Sequence, residues 1–199
     1  MRLCEGFSRL TPSVLIFDQS GSLVDSWGDA NTVPATIHGC VADRENNVWV
    51  TGSEDGILQK YTHAGKLVMQ IGKRGVVDTA DGTGKSAPLN ASRTQLFYPS
   101  GLDIDPGNGD LYVADGYGNR RVVVFDREGH FLRQWGRQGT KEEAQAGAAG
   151  AFAQIVHCIA LGSAGRVYVC DRQGDRIQVF DKMGHFERNI WIRTGTSTL

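Results

Sequence analysis

The chain has 199 residues, 40% of them hydrophobic, with 21 lysines and arginines against 22 aspartates and glutamates. Such a length and apolar share support a packed core and exclude a disordered tail, while the balanced charge leaves no basic surplus to grip nucleic acid or anionic lipid. Apolar runs such as Val122 to Phe125 fall far short of the roughly 18 residues that cross a bilayer, and the opening Met1-Arg2-Leu3-Cys4-Glu5-Gly6 lacks the unbroken apolar stretch of a secretory leader. No nucleic-acid or membrane partner is therefore expected. The compartment stays open, a secreted or periplasmic location being expected only if a leader precedes this chain.

The predicted elements come in repeats. Residues 12–28 read as the outer two strands of a first unit: Phe17-Asp18-Gln19-Ser20-Gly21 forms a turn, and Gly28 follows seven positions later. A whole unit spans about 37–72. It opens on Ile37-His38-Gly39-Cys40-Val41, continues through Asn47-Val48-Trp49-Val50, and repeats the aromatic-to-glycine turn at Tyr61 to Gly65. Residues 73–98 read as a connecting loop. The second whole unit, about 99–136, repeats the three landmarks as Pro99 to Asp103, Asp110 to Val113, and Phe125 to Gly129. A second loop, 137–154, contains Glu142-Glu143-Ala144-Gln145-Ala146, enough for one helical turn. The third whole unit, about 156–191, carries Val156 to Ala160, Arg166 to Val169, and Phe180 to Gly184.

Each unit alternates apolar and polar residues with period two and is punctuated by single glycines, the pattern of four short antiparallel strands. The fold class expected is all-β, a β-propeller of four-stranded blades stacked radially, because a blade has two faces to bury and cannot bury them alone. One partial blade and three whole ones are fewer than most rings need, so an incomplete part of a larger ring is expected, with a closed four-bladed ring as the alternative. The cysteines, Cys4, Cys40, Cys158 and Cys170, show no Cys-x-x-Cys spacing. Three of them lie among apolar neighbours in strand-like segments and read as buried reduced thiols.

Aligning the blades brings His38, Ser100 and His157 to one position, the start of the strand nearest the axis. Two imidazoles from alternate blades thus face a shared channel. The turn after the second strand is one residue longer in the second whole blade: Asp115 to Val122 spans seven positions, whereas Asp171 to Ile177 and Thr51 to Ile57 each span six. The extra residue projects Tyr117 out of the turn. Arg172 occupies the corresponding turn of the third whole blade. Arg121 and Arg176 share a repeat position of their own and read as braces. His63, His130 and His185 fall in or beside the outer glycine turns, remote from the axis, and read as exposed.

The run Pro99-Ser100-Gly101-Leu102-Asp103-Ile104-Asp105, with Asp110-Leu111-Tyr112-Val113-Ala114-Asp115 and Asn119-Arg120-Arg121-Val122-Val123-Val124-Phe125, closely resembles the NHL repeat. The resemblance covers nearly the whole chain and implies a six-bladed propeller. Within that family, His38, the turn Asp115-Gly116-Tyr117-Gly118-Asn119, His157 and Asp171-Arg172 resemble, in order and blade position, the hallmarks of peptidyl-α-hydroxyglycine α-amidating lyase (peptidylamidoglycolate lyase). The histidines depart from the family in following Ile37 and Val156 instead of proline.

The resemblance implies a zinc-dependent carbon–nitrogen lyase that releases glyoxylate from a peptide substrate with a hydroxyglycine-like end. It makes His38 and His157 metal ligands, Tyr117 the base toward the substrate hydroxyl and Arg172 the residue that steadies an anionic group. Neutral imidazole suits zinc at about 2.0–2.1 Å, and a catalytic zinc keeps an open position beside three protein ligands. A third histidine would lie beyond Leu199 and a further arginine upstream of Ser13; a structural calcium is also implied. The alternative is a noncatalytic propeller that binds a protein or peptide partner. An RNA-binding propeller would want a basic face, and a sugar-lactonase type would want acidic and asparagine calcium ligands where the inner strands begin with histidine and serine.

Overall fold

The computed structural model describes residues 12–85 and 89–192. Strands β1 (Val14–Phe17) and β2 (Leu23–Trp27) form a two-stranded hairpin. A four-stranded meander follows: β3 (Ile37–Ala42), β4 (Val48–Gly52), β5 (Ile57–Tyr61) and β6 (Leu67–Ile71). The second meander is β7 (Pro99–Ile104), β8 (Leu111–Asp115), β9 (Arg121–Phe125) and β10 (Phe131–Trp135). Strand β11 (Arg137–Gln138), helix α1 (Lys141–Gln145) and strand β12 (Ala151–Phe152) precede the third meander: β13 (Val156–Leu161), β14 (Arg166–Asp171), β15 (Arg176–Asp181) and β16 (Phe186–Trp191). All pairings within the meanders are antiparallel.

These are propeller blades. Their first strands lie side by side, with β7 between β3 and β13, so β3, β7 and β13 line the axis and the later strands radiate outward. The described sheets form an open arc. Among the described residues apolar side chains gather in three clusters, one at each junction between successive blades. The largest joins Val122, Val124 and Tyr112 of the second blade to Val156, Val167 and Phe180 of the third, and its counterparts centre on Trp49 with Val113 and on Tyr61 with Val33. Burial is thus distributed along the arc, as expected of repeats that each cover a neighbour's face. Position 17 shows the dependence: Tyr61, Phe125 and Phe180 are each 1% exposed, whereas Phe17 of the hairpin is 49% exposed.

The region 137–154 holds more structure than a plain loop. Thr140 caps α1 through a reciprocal capping box with Glu143, a local pattern that satisfies the first-turn amides, and β11 pairs in parallel with β12.

The thiol expectation needs correction. Cys158 and Cys170 are joined in a disulfide, with Cα atoms 5.0 Å apart, and Cys40 is exposed. The register explains the pair: Val156 opposes Asp171 and Ile159 opposes Val169, so the irregular stretch between them brings Cys158 to Cys170 across the ladder. Residues 12 apart in sequence carry no linear signature of such a contact. Cys4 lies outside the described residues.

Candidate functional site

The inner strands each start with a break in register, between Ile37 and Cys40, between Pro99 and Gly101, and between Val156 and Ile159. This lifts the second residue of each strand out of the regular alternation. In β3 it is His38, in β7 Ser100 and in β13 His157. The Ser100 hydroxyl donates to the Val156 carbonyl, 2.7 Å away, and so ties the middle blade to the next. Its own carbonyl lies 2.6 Å from His38 Nδ1.

That last contact orders a proton. A carbonyl oxygen only accepts, so His38 Nδ1 carries the hydrogen and the neutral ring keeps a lone pair on Nε2. Nε2 lies 3.2 Å from the Tyr117 hydroxyl, and His157 Nε2 lies 3.0 Å from the same oxygen. The two imidazole centroids are 5.3 Å apart. When the phenol donates to His38, its second contact calls for an Nε2–H on His157. Three side chains from three strands or turns therefore share one polar focus.

Tyr117 reaches this focus because its turn is held from outside its blade. Its amide donates to the Tyr98 carbonyl, and the next two amides, of Gly118 and Asn119, both donate to the Phe97 carbonyl. Neither flanking residue could carry a side chain without a shift of its neighbours: a Cβ on Gly116 would collide with the Val156 carbonyl, and one on Gly118 with the Phe97 ring. Beneath the turn, Asn119 Nδ2 donates to Asp115 at 2.7 Å and to Asp78 at 3.0 Å. Arg121 bridges the same two carboxylates at 2.9 and 3.3 Å, and all four side chains are buried. Burial pushes the Asp115 carboxyl up, against the pull of Arg121 and Asn119. Asp78 comes from the 73–98 connection, so a segment read from the sequence only as a loop supplies much of the site's foundation. The repeat position shared by Arg121 and Arg176 was the available signal for the braces; nothing local pointed to Asp78.

Arg172 follows β14 and opens a short 3₁₀ turn through Gly174. Its amide donates to the Ile155 carbonyl. The side chain is half-buried, and among the described residues no hydrogen bond or ion pair joins it to His38, His157 or Tyr117. The structure thus brings three of the four sequence-selected residues into contact and leaves Arg172 outside that contact. Its neighbour Arg176 pairs with Asp171 at 2.9 Å, both fully buried, and burial pushes the Asp171 carboxyl up against the Ala153 amide and Arg176. The outer histidines are elsewhere: His130 and His185 pair with Asp126 and Asp181 in exposed turns, and His63 is exposed.

Zinc can be tested against this donor set. His38, with its Nδ1–H fixed by a backbone carbonyl and its Nε2 lone pair turned inward, is oriented as ligating imidazoles are; the Nε2–H of His157 would have to leave before that ring could bind a metal. Among the described residues no set of three His, Cys, Asp or Glu side chains is grouped to hold a metal. Two imidazoles, those of His38 and His157, are of the donor type that zinc takes.

Comparison with known proteins agrees with the architecture. The family model for the NHL repeat matches residues 98–125, the inner three strands of the second blade. Human NHL repeat-containing protein 3 is 32% identical over 177 residues, covering 86% of this chain and 46% of that protein. Peptidyl-alpha-hydroxyglycine alpha-amidating lyase 1 of Drosophila melanogaster is 27% identical over 147 residues, covering 72% of this chain and 25% of that protein. The chain spans about half the length of the first of these relatives and a quarter of the second. A solved streptogramin B lyase superposes with a TM-score of 0.58 at 16% identity, covering 88% of this chain and 46% of that one, a likeness of fold. The chain thus carries an NHL repeat within an arc of β-propeller blades and is distantly similar to the amidating lyases.

Proposed function

We propose that the cluster of His38, Tyr117 and His157 serves a carbon–nitrogen lyase that cleaves peptidyl-α-hydroxyglycine to peptide amide and glyoxylate. The observation that carries this reading is the convergence of both Nε2 atoms on the Tyr117 oxygen, together with similarity to a relative named for that activity. In the reaction the substrate hydroxyl loses its proton, its oxygen becomes the aldehyde carbonyl of glyoxylate, the carbon–nitrogen bond breaks, and the departing amide nitrogen gains a proton. No oxidant is consumed.

Tyr117, in its ionised form, takes the hydroxyl proton. His38 and His157 flank its oxygen and would hold zinc through Nε2, His38 with its ring fixed by the Ser100 carbonyl. Zinc in such a setting supplies Lewis acidity toward a substrate oxygen. Arg172, with no partner for its guanidinium among the described residues, is free to meet the substrate carboxylate, where a permanent positive charge orients an anion. Calcium, implied by the same resemblance, would have a structural role.

The test is glyoxylate release from a hydroxyglycine-terminated peptide, with zinc content measured on the same protein. Replacing Tyr117 by Phe is expected to lower turnover by about 10²-fold or more, the range for removing a general base. Unchanged release after that replacement, or activity with no bound metal, would overturn the reading. A second reading has its own support: similarity to NHL repeat-containing protein 3, whose name states no reaction, covers more of the chain, and the same arc of blades could bind a protein or peptide without chemistry. That reading expects peptide binding to survive His38→Ala.

A further inference from the structure

Four successive carbonyl oxygens in the Tyr117 turn point at a single nitrogen. Arg120 Nη1 lies 3.0 Å from the Gly116 oxygen, 3.0 Å from that of Tyr117, 2.8 Å from that of Gly118 and 2.6 Å from that of Asn119. Carbonyl dipoles aimed at one point repel one another unless a cation sits there, and half-buried they have little water to replace it. The guanidinium is thus what allows this backbone path. The Arg120 main chain is clamped as well: its amide donates to Asn90 Oδ1 at 2.9 Å, and its carbonyl accepts from Asn90 Nδ2 at 3.2 Å. Among the described residues Arg120 Nε is buried with no hydrogen-bond partner, so the side chain is committed to the turn at the expense of one of its own donors.

The third blade shows that this device is not a general part of the repeat. There the residue before the bracing arginine is Asp175, in the left-handed region at φ 52°, and the shorter turn closes as a 3₁₀ helix. Only the longer turn gathers its carbonyls around a guanidinium.

We propose that Arg120 is a positioning residue that holds the Tyr117 phenol between His38 and His157 by organising the carbonyls of its turn. This rests on the reading of Tyr117 as the reacting base; the hydrogen bonds of the Arg120 side chain among the described residues go to its own turn. Proton–nitrogen correlation spectra of the imidazole rings read the placement without any turnover. Tyr117→Phe first identifies the His38 and His157 signals that depend on the phenol. Arg120→Ala is then expected to reproduce those shifts while leaving the His63, His130 and His185 signals in place. In the glyoxylate assay the same variant is expected to lose about tenfold or more in kcat with KM within about twofold, as displacement of a reacting group produces, and added guanidinium ion is expected to restore part of the loss. Should Arg120→Ala fail to fold, Arg120→Gln takes its place in both measurements.

Imidazole signals unchanged from the native protein would overturn the proposal, even if turnover fell. If the native protein releases no glyoxylate, the catalytic reading fails alone, and the spectra still decide whether Arg120 holds Tyr117.

Discussion

Two turns stand at the same place in successive blades and solve different problems. In the second blade Asp115 pairs with Arg121 across six positions; in the third Asp171 pairs with Arg176 across five. Both bury an aspartate–arginine pair at 2.9 Å. The longer turn adds a second carboxylate, from Asp78, and the Asn119 amide, and it delivers a tyrosine to the axis. The shorter one coils into a 3₁₀ turn and presents Arg172. In the first whole blade Gly52 opposes Ile57 at this position, one residue on from the Thr51 alignment read from the sequence, and no ion pair is built. A single added residue, with a loop to support it, therefore separates a turn that coils back on itself from one that delivers a tyrosine between two histidines.

The comparison is broken most severely at the braces. Arg121→Met strands two buried carboxylates and is expected to cost about 3–5 kcal/mol, the range for an uncompensated buried charge; Arg176→Met strands one and is expected to cost less. Denaturant midpoints measured on both variants check the order, and equal losses would mean that Asp78 adds nothing to the second blade. Next comes Gly116→Ala. The residue at this position in the third blade is Arg172, but in the second the backbone is pressed against the Val156 carbonyl, so an added methyl must push the next blade's inner strand. About 1–3 kcal/mol is expected, as for overpacking, together with a displaced His157 ring signal. Smallest are the polar clamps on each turn. Asn90→Ala removes bonds to both the amide and the carbonyl of Arg120, while Gln173→Ala removes one to the Ile155 amide at 3.1 Å. With about 1 kcal/mol per net hydrogen bond, the Asn90 variant should melt measurably lower than the Gln173 variant.

Much of the fold was legible because each blade repeats a local rule: period-two alternation, an aromatic residue, and a glycine turn, all within about 36 to 38 residues. The same register let His38, Ser100 and His157 be matched by counting, and the extra residue beside Tyr117 was visible as a difference in length. Contacts made across the chain were not legible. The Cys158–Cys170 bond joins strands whose pairing depends on an irregular ladder, and Asp78 meets Arg121 only because the 73–98 connection folds back beneath the second blade.

The amino-acid sequence by itself determined the strand pattern, the blade order and which residues open the innermost strands, since these follow from hydrophobic period and turn chemistry within one repeat. Only the tertiary structure decided that His38, Tyr117 and His157 meet at one oxygen, and that Arg172 stands apart from them. The physical reason is that a turn's direction is set by what packs beneath it and by which carbonyls must be satisfied, and here the groups that do both come from other parts of the chain.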